Sequence, residues 1–302
     1  MKHHFIDLLD RTDDYWTIIP NRERFTFVAD FDIENKNDVK IITISKNQEK
    51  KHWEQVFNCP NLEELTLHDP SKEQIQAIQK LENLKRIRIT FFRTIDIEFI
   101  GHLINLEEVI LEYVSGFSDL KPLKKLKKLK SLHLENLRKV SNFDGLKGID
   151  SLRYLYIDGT LDWNQPIENF TFLEELPNLE ILALSFVINK TQYPAFLPIL
   201  SLKKLKKLRI GLRTFNTKEY AFLQSALPTV LCCTFDDKPW KICYQLNNDY
   251  MEFIGKGAGR VKLNNPKASE IIENFQKQYE AYKKEAQEII NGHAKVTGTK
   301  NS

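Results

Sequence analysis

The chain has 302 residues, 42% of them hydrophobic and 28% charged, proportions that exclude wholesale disorder. Its 44 basic and 41 acidic side chains leave a formal charge of +3, too little for a polycation that holds nucleic acid or anionic membrane by bulk charge. With 11 Gly and 11 Pro, collagen-like and Pro-rich architectures are excluded as well, which leaves one question: whether the core gathers around a centre or runs along a line.

Residues 1–38 read as an N-terminal cap that closes the first apolar cross-section, and the weak alternation of FTFV suits an edge strand. The opening MKHHFIDLLDRTDDYW is broken by Asp7, Asp10, Asp13 and Asp14, so no secretory signal is expected from it. No run of 18 apolar residues occurs, and no transmembrane helix is expected.

From residue 39 a hexad of the form apolar-x-x-apolar-x-apolar recurs. Its copies are VKIITI, LEELTL, LKRIRI, LEEVIL, LKSLHL, LRYLYI, LEILAL, LKKLRI and LPTVLC, starting at Val39, Leu62, Leu84, Leu106, Leu129, Leu152, Leu179, Leu205 and Leu227. Most intervals are 22 or 23 residues, and two are 26 and 27. The period of two at the end of each hexad predicts a short strand with one buried face. Period three or four precedes it, as in Leu120, Leu123, Leu126, Leu129 and in Phe143, Leu146, Ile149, Leu152, and predicts a short α or 3₁₀ segment. Neither piece buries itself alone, so the units must stack. A barrel or doubly wound sheet would need about 30 residues or more per unit, and these intervals are too short.

This pattern resembles the leucine-rich repeat family, in its short 22-residue, internalin-like form, over residues 39–233. The resemblance implies an α/β solenoid, a horseshoe with a parallel sheet on its concave face and short helical or 3₁₀ segments on its convex face. The family's ninth position usually carries Asn or Cys. Here it holds Pro70, Phe92, Val114, Leu137, Thr160, Val187 and Arg213, so the asparagine ladder is missing and irregular turns, satisfied by backbone or water, are expected.

The two long intervals carry insertions, around 159–170 and 188–196, which contain Trp163, Tyr193 and Phe196. They either loop out as part of a binding surface or pack over the neighbouring repeat. Residues 234–302 lose the repeat and read as a C-terminal cap: strands in WKICYQL and YMEFIG joined through NNDY, then a flexible GKGAGRV, which is neither a Walker A loop nor GxGxxG. Asn265 and Pro266 signal a helix start, and Ile272, Phe275, Tyr279, Tyr282, Ala286 and Ile289 give an amphipathic helix stopping near Gly292 with a disordered tail. Its aromatic stripe suits packing on the last repeat or weak dimerisation.

Positions 3, 5 and 7 of each unit point away from the core and form three columns across the sheet. The seventh column places Glu112, Glu135 and Asp158 in succession, with Arg88, Tyr113, His133, Tyr154 and Tyr156 beside them. At a strand spacing of about 4.8 Å the like charges repel, and a basic partner would relieve them. Aromatics next to charges are the usual make-up of an interaction hot spot. A solvated face kept for solubility is the alternative. The expected partner-binding residues are therefore Arg88, Glu112, Tyr113, His133, Glu135, Tyr154, Tyr156, Asp158, Trp163 and Tyr193. The lysine runs at 121–130 and 201–208 fall between core leucines, as a solvated convex face rather than a nucleic-acid patch.

Nothing in the motifs points to catalysis. HExxH and GxSxG are absent, and His68 and His133 are three repeats apart. Cys59, Cys232, Cys233 and Cys243 lack zinc spacing and read as buried thiols. No metal or cofactor is expected. The reading is a non-catalytic protein-binding module of the cytoplasm, monomeric or weakly dimeric through the C-terminal helix, without nucleic-acid or membrane binding. A mature chain stripped of a leader would look the same. A toxin-neutralising partner, an oligomerising structural subunit and a bacterial effector acting in a host cell remain as alternatives. They differ in predicting a tight heterodimer, a homo-oligomer and export.

Overall fold

The computed structural model describes residues 32–232, 238–244 and 249–298, with side chains to 295. The expected edge strand in FTFV, His3, His4 and Cys233 lie outside the described residues.

The strands of the repeat region are β1 (Ile41–Ser45), β2 (Glu64–His68), β3 (Arg86–Thr90), β4 (Glu108–Glu112), β5 (Ser131–Glu135), β6 (Tyr154–Asp158), β7 (Gln165–Ile167), β8 (Ile181–Ser185), β9 (Val187–Asn189), β10 (Lys207–Ile210) and β11 (Leu231–Cys232). All but β7 and β9 form one nine-stranded parallel sheet, in chain order. Each strand begins at the third residue of its hexad, so positions 4 and 6 face inward, as Leu65, Leu67, Leu132 and Leu134 do. Opposite the sheet, after the short helices α1 (Lys50–Trp53) and α2 (Lys72–Ile78), run the 3₁₀ turns Glu98–His102, Lys121–Lys125, Asp144–Leu146, Thr171–Glu175 and Leu197–Ser201. The spacing of three makes them so. Leu123, Leu126 and Leu129 each donate their amide to the leucine carbonyl three residues back, and this geometry eclipses every third side chain onto the core. The result is one continuous apolar strip between sheet and turns.

The last hexad is out of register. Lys207 pairs with Leu231 rather than with Thr229, because α3 (Thr217–Ala226) takes up Leu227 as its C-cap and pushes the strand two residues on. The insertions do not loop out. Their short strands β7 and β9 pair in parallel and extend the stacking.

The C-terminal part differs from its expectation in two places. GKGAGRV is not a loose turn. Its end forms β14 (Arg260–Lys262), the third strand of an antiparallel sheet with β12 (Trp240–Cys243) and β13 (Tyr250–Phe253). Helix α4 spans Ala268–Gly298 and runs through Gly292, which meets nothing and costs only its intrinsic propensity of about 1 kcal/mol. Phe275 stacks on Phe253 at 4.3 Å, Tyr279 and Ala286 are buried, and Lys218 of α3 pairs with Glu285. The aromatic stripe of α4 therefore packs on β13 and α3, at the end of the solenoid.

Candidate partner-binding face

The strand register sets Glu112 beside Glu135 and Glu135 beside Asp158. The three carboxylates do not share one environment. Arg88 directs Nε and Nη2 to Oε2 of Glu112, at 2.9 and 2.6 Å. Burial pushes the Glu112 carboxyl above its usual range, and the Arg88 charge and hydrogen bonds offset only part of that rise. Glu135 and Asp158 have no Lys or Arg within ion-pair distance among the described residues, and the His133 ring, 3.8 Å from Glu135, is neutral at physiological pH. Burial and then the charges of Glu112 and Asp158 raise Glu135 to about 7. Burial raises Asp158 to about 6, although hydrogen bonds from Tyr156, Ser185 and the Gly159 amide oppose it.

His133 is 1% exposed and stacks under Tyr156 at 4.4 Å. Burial first, then the Arg88 charge, depress it to about 3, so the imidazole is neutral at physiological pH. The Tyr156 hydroxyl donates to Asp158 at 2.7 Å. Tyr154 is buried in a small apolar cluster with Ile110 and Ile181 on this same face. Much of the face is thus not the solvated surface that the columns suggest. Glu64, Thr66, Glu108, Ser131 and His133 are all buried. Part of the cover is lateral: Arg86 lies across Glu64 at 3.0 Å and Tyr156 across His133.

The open part of the face is its rim, one residue beyond the strands. Asp69, Phe91, Tyr113, Asn136 and Phe186 all adopt left-handed backbone there, with φ between 46° and 57°. Each amide in this column from Asp69 to Gly159 donates to the last strand residue of the next repeat, as Tyr113 does to Glu135. The left-handed residue then turns the chain inward. This is how the turn is made without an asparagine at position nine. Holding a bulky residue there costs about 1 kcal/mol or more each. Yet Phe91 is 53% exposed, Phe186 41% and Tyr113 37%, and Phe91 stacks on Tyr113 at 4.9 Å.

Arg88, Glu112, Tyr113, His133, Glu135, Tyr156 and Asp158 come together as expected, with Tyr154 beneath them. Trp163 and Tyr193 do not join them. Trp163 lies under the Arg138 guanidinium, 4.9 Å from its ring centre, in the first insertion. Tyr193 packs edge-on to Phe222 of α3 and under Lys218. Phe91 and Phe186 were missing from the sequence reading. The signal was there, since writing the hexads out to position 8 lines up Phe91, Tyr113 and Phe186. The lysine runs sit on the convex turns, where Lys125 pairs with Glu98 and Lys128 with Asn105 of the preceding repeat.

Ligand atoms of His133, Glu135 and Asp158 lie within 4.8 Å of one another, the single such group among the described residues. Its histidine is stacked and fully buried.

Glu135→Gln tests the electrostatics of this face. Glu135 holds its proton more tightly folded than unfolded, so the penalty is fully present above about pH 7 and disappears as pH falls towards the unfolded value near 4.5. Gln mimics the protonated form. The variant is expected to gain about 1–2 kcal/mol at about pH 8, allowing for the part of the carboxylate open to water, and next to nothing at about pH 4. Urea unfolding at the two pH values measures it.

The strand order and register define an α/β solenoid of leucine-rich-repeat type. No protein-family model and no curated protein matches the chain. Similar solved structures are an internalin of Listeria monocytogenes, at 17% identity and TM-score 0.48 over 65% of this chain and 54% of that one. Internalin C2 of the same species follows at 21% identity and TM-score 0.38, over 50% of this chain and 63% of that one. A leucine-rich-repeat protein of Leptospira interrogans shows 18% identity and TM-score 0.32 over 66% of this chain and 67% of that one. The chain thus spans less than two thirds of the length of either internalin. The expected cytoplasmic location is corrected by this likeness, because internalins are typically secreted or surface-associated, and the placement is withdrawn.

Proposed function

We propose that the chain binds a protein with a basic surface through the concave sheet, at the column of Glu112, Glu135 and Asp158. One observation carries this reading: two neighbouring carboxylates, Glu135 and Asp158, stand half-buried with no Lys or Arg partner among the described residues, while Glu112 beside them has its own. A fold gains nothing from such an arrangement, and a cation brought from outside relieves it. Beside Tyr156 a depression of about 210 Å³, lined also by Ala183, Ser185 and Arg209, gives the partner relief to fit into.

The test begins with affinity purification of the partner from the native source and continues with Glu135→Lys and Asp158→Lys together. Affinity is expected to fall by at least about tenfold, mainly through a faster off-rate, as for other desolvated charge pairs. Binding should also tighten as pH rises from about 5.5 to 8, because both carboxyls lose their protons across that window. An affinity untouched by the double reversal would move the interface elsewhere.

A further inference from the structure

We propose that the rim of the concave face is a notch for an arginine side chain of the partner, with Phe91 and Tyr113 as one wall, Phe186 as the other, and Glu135 and Asp158 as the floor. This rests on the acidic-face reading above and specifies which cation it takes.

The geometry of the rim supports the notch. Position 8 carries Phe91 and Tyr113 after β3 and β4, then Asn136 and Gly159 after β5 and β6, then Phe186 after β8. The gap between the walls is enforced. A Cβ at Gly159 would strike the Phe186 and Trp163 carbonyl oxygens, so no side chain can fill it. Asn136 is buried and leaves the opening clear. Tyr113 and Phe186 are three strand spacings apart, about 14 Å between backbones, which admits one side chain between them. The strands under this gap are the ones that carry Glu135 and Asp158.

The rim residues are costly where they stand. Asn136 shows what the left-handed backbone accepts with least strain, and Phe91, Tyr113 and Phe186 occupy the same conformation while exposing their rings. Elsewhere the protein covers such rings with its own cations, as Arg138 covers Trp163 and Lys218 covers Tyr193. Among the described residues no Lys or Arg lies over Phe91, Tyr113 or Phe186. Arginine fits better than lysine, because a planar guanidinium stacks flat on a ring while its fork reaches two carboxylates, whereas an ammonium is a point charge without the plane or the fork.

Tetra-arginine and tetra-lysine amides, equal in charge, separate the two cations at one ionic strength. By titration calorimetry or tryptophan-independent fluorescence anisotropy, tetra-arginine is expected to bind about threefold to fivefold more tightly, the size of an exposed cation–π contact. Phe91→Asn with Tyr113→Asn should abolish that preference and leave thermal stability unchanged or raised, since Asn suits the backbone. Glu135→Gln with Asp158→Asn should weaken both peptides. Equal affinities that still depend on the two carboxylates would overturn the arginine notch and leave the acidic-face reading standing. A preference that survives loss of the rings, or no binding of either peptide, would overturn the notch. Binding of both peptides that ignores the carboxylates would overturn both readings.

Discussion

Arg88→Met is expected to destabilise the fold by about 3–5 kcal/mol at neutral pH, the usual cost of leaving one member of a buried ion pair without its partner. Methionine keeps the apolar stem and removes the charge. Both nitrogens of Arg88 that bind Glu112 go to one oxygen, and Oε1 of Glu112 has no hydrogen-bond partner. The guanidinium is thus the main force against the desolvation that raises this carboxyl. Without it, Glu112 must take up a proton to stay buried. Its folded-state affinity for the proton then exceeds the unfolded one further still, so the loss is present above the folded pKa and shrinks as pH falls. Glu112→Gln in the same chain should recover most of the stability, giving a coupling of about 2–3 kcal/mol in a double-mutant cycle. A loss below about 1 kcal/mol in urea unfolding would show the pair to behave as a solvated surface bridge. The substitution also removes the charge that lowers Glu135, linking the stability of the face to its proton binding.

The hexads made the solenoid legible because burial here is set by local period. Leucines at spacing three and strands at spacing two leave no second solution for units of this length. Register followed for the same reason, and with it the neighbourhood of Glu112, Glu135 and Asp158. What failed to be legible depended on contacts between distant residues. Leu227 carries the apolar signature of a strand start, yet α3 claims it, and only the packing of α3 against α4 decides that. Gly292 signals a helix stop, but a signal worth about 1 kcal/mol loses to a helix already anchored by Tyr279 and Ala286. The open character of the concave columns was overestimated, because alternation says which side a residue faces and not what lies across it.

The missing asparagine ladder turns out to be replaced by several smaller ties. Asn61, Asn105 and Asn178, each just before the first leucine of a hexad, donate to a carbonyl of the preceding repeat at 2.7–2.8 Å. At position 2 charge alternates along one edge of the sheet. Glu63 pairs with Lys85, Glu107 with Lys130, and Glu180 with both Arg153 and Lys206. Hydrogen bonds from these cations hold Glu63 and Glu180 below the usual carboxylate range despite desolvation. Many charges are thus matched between repeats, and Glu135 and Asp158 lack such a match among the described residues.

Gln165→Leu is the sharpest test of how the irregular turns are satisfied, with an expected loss of about 2–5 kcal/mol from two buried backbone groups left unpaired. Gln165 is fully buried in the first insertion. Its Oε1 accepts from the Leu137 amide at 2.9 Å and its Nε2 donates to the Val140 carbonyl at 2.6 Å. Leu137 occupies the ninth position of its hexad, so the side chain of one unit completes the turn of the unit before, where an asparagine would otherwise serve. Leucine matches the volume and removes both hydrogen bonds, isolating the polar term from any cavity. Gln165→Glu separates the two halves: it keeps the acceptor for Leu137 but turns an oxygen towards the Val140 carbonyl, and should lose as much or more at neutral pH. Because each repeat leans chiefly on its neighbours, the damage should be local. Hydrogen exchange at the Leu137 amide is expected to accelerate strongly, while the Leu67 amide in β2, three repeats away, keeps its protection. A loss under about 1 kcal/mol with Leu137 still protected would mean that water replaces the side chain, and that the insertion is held by the pairing of β7 with β9 alone.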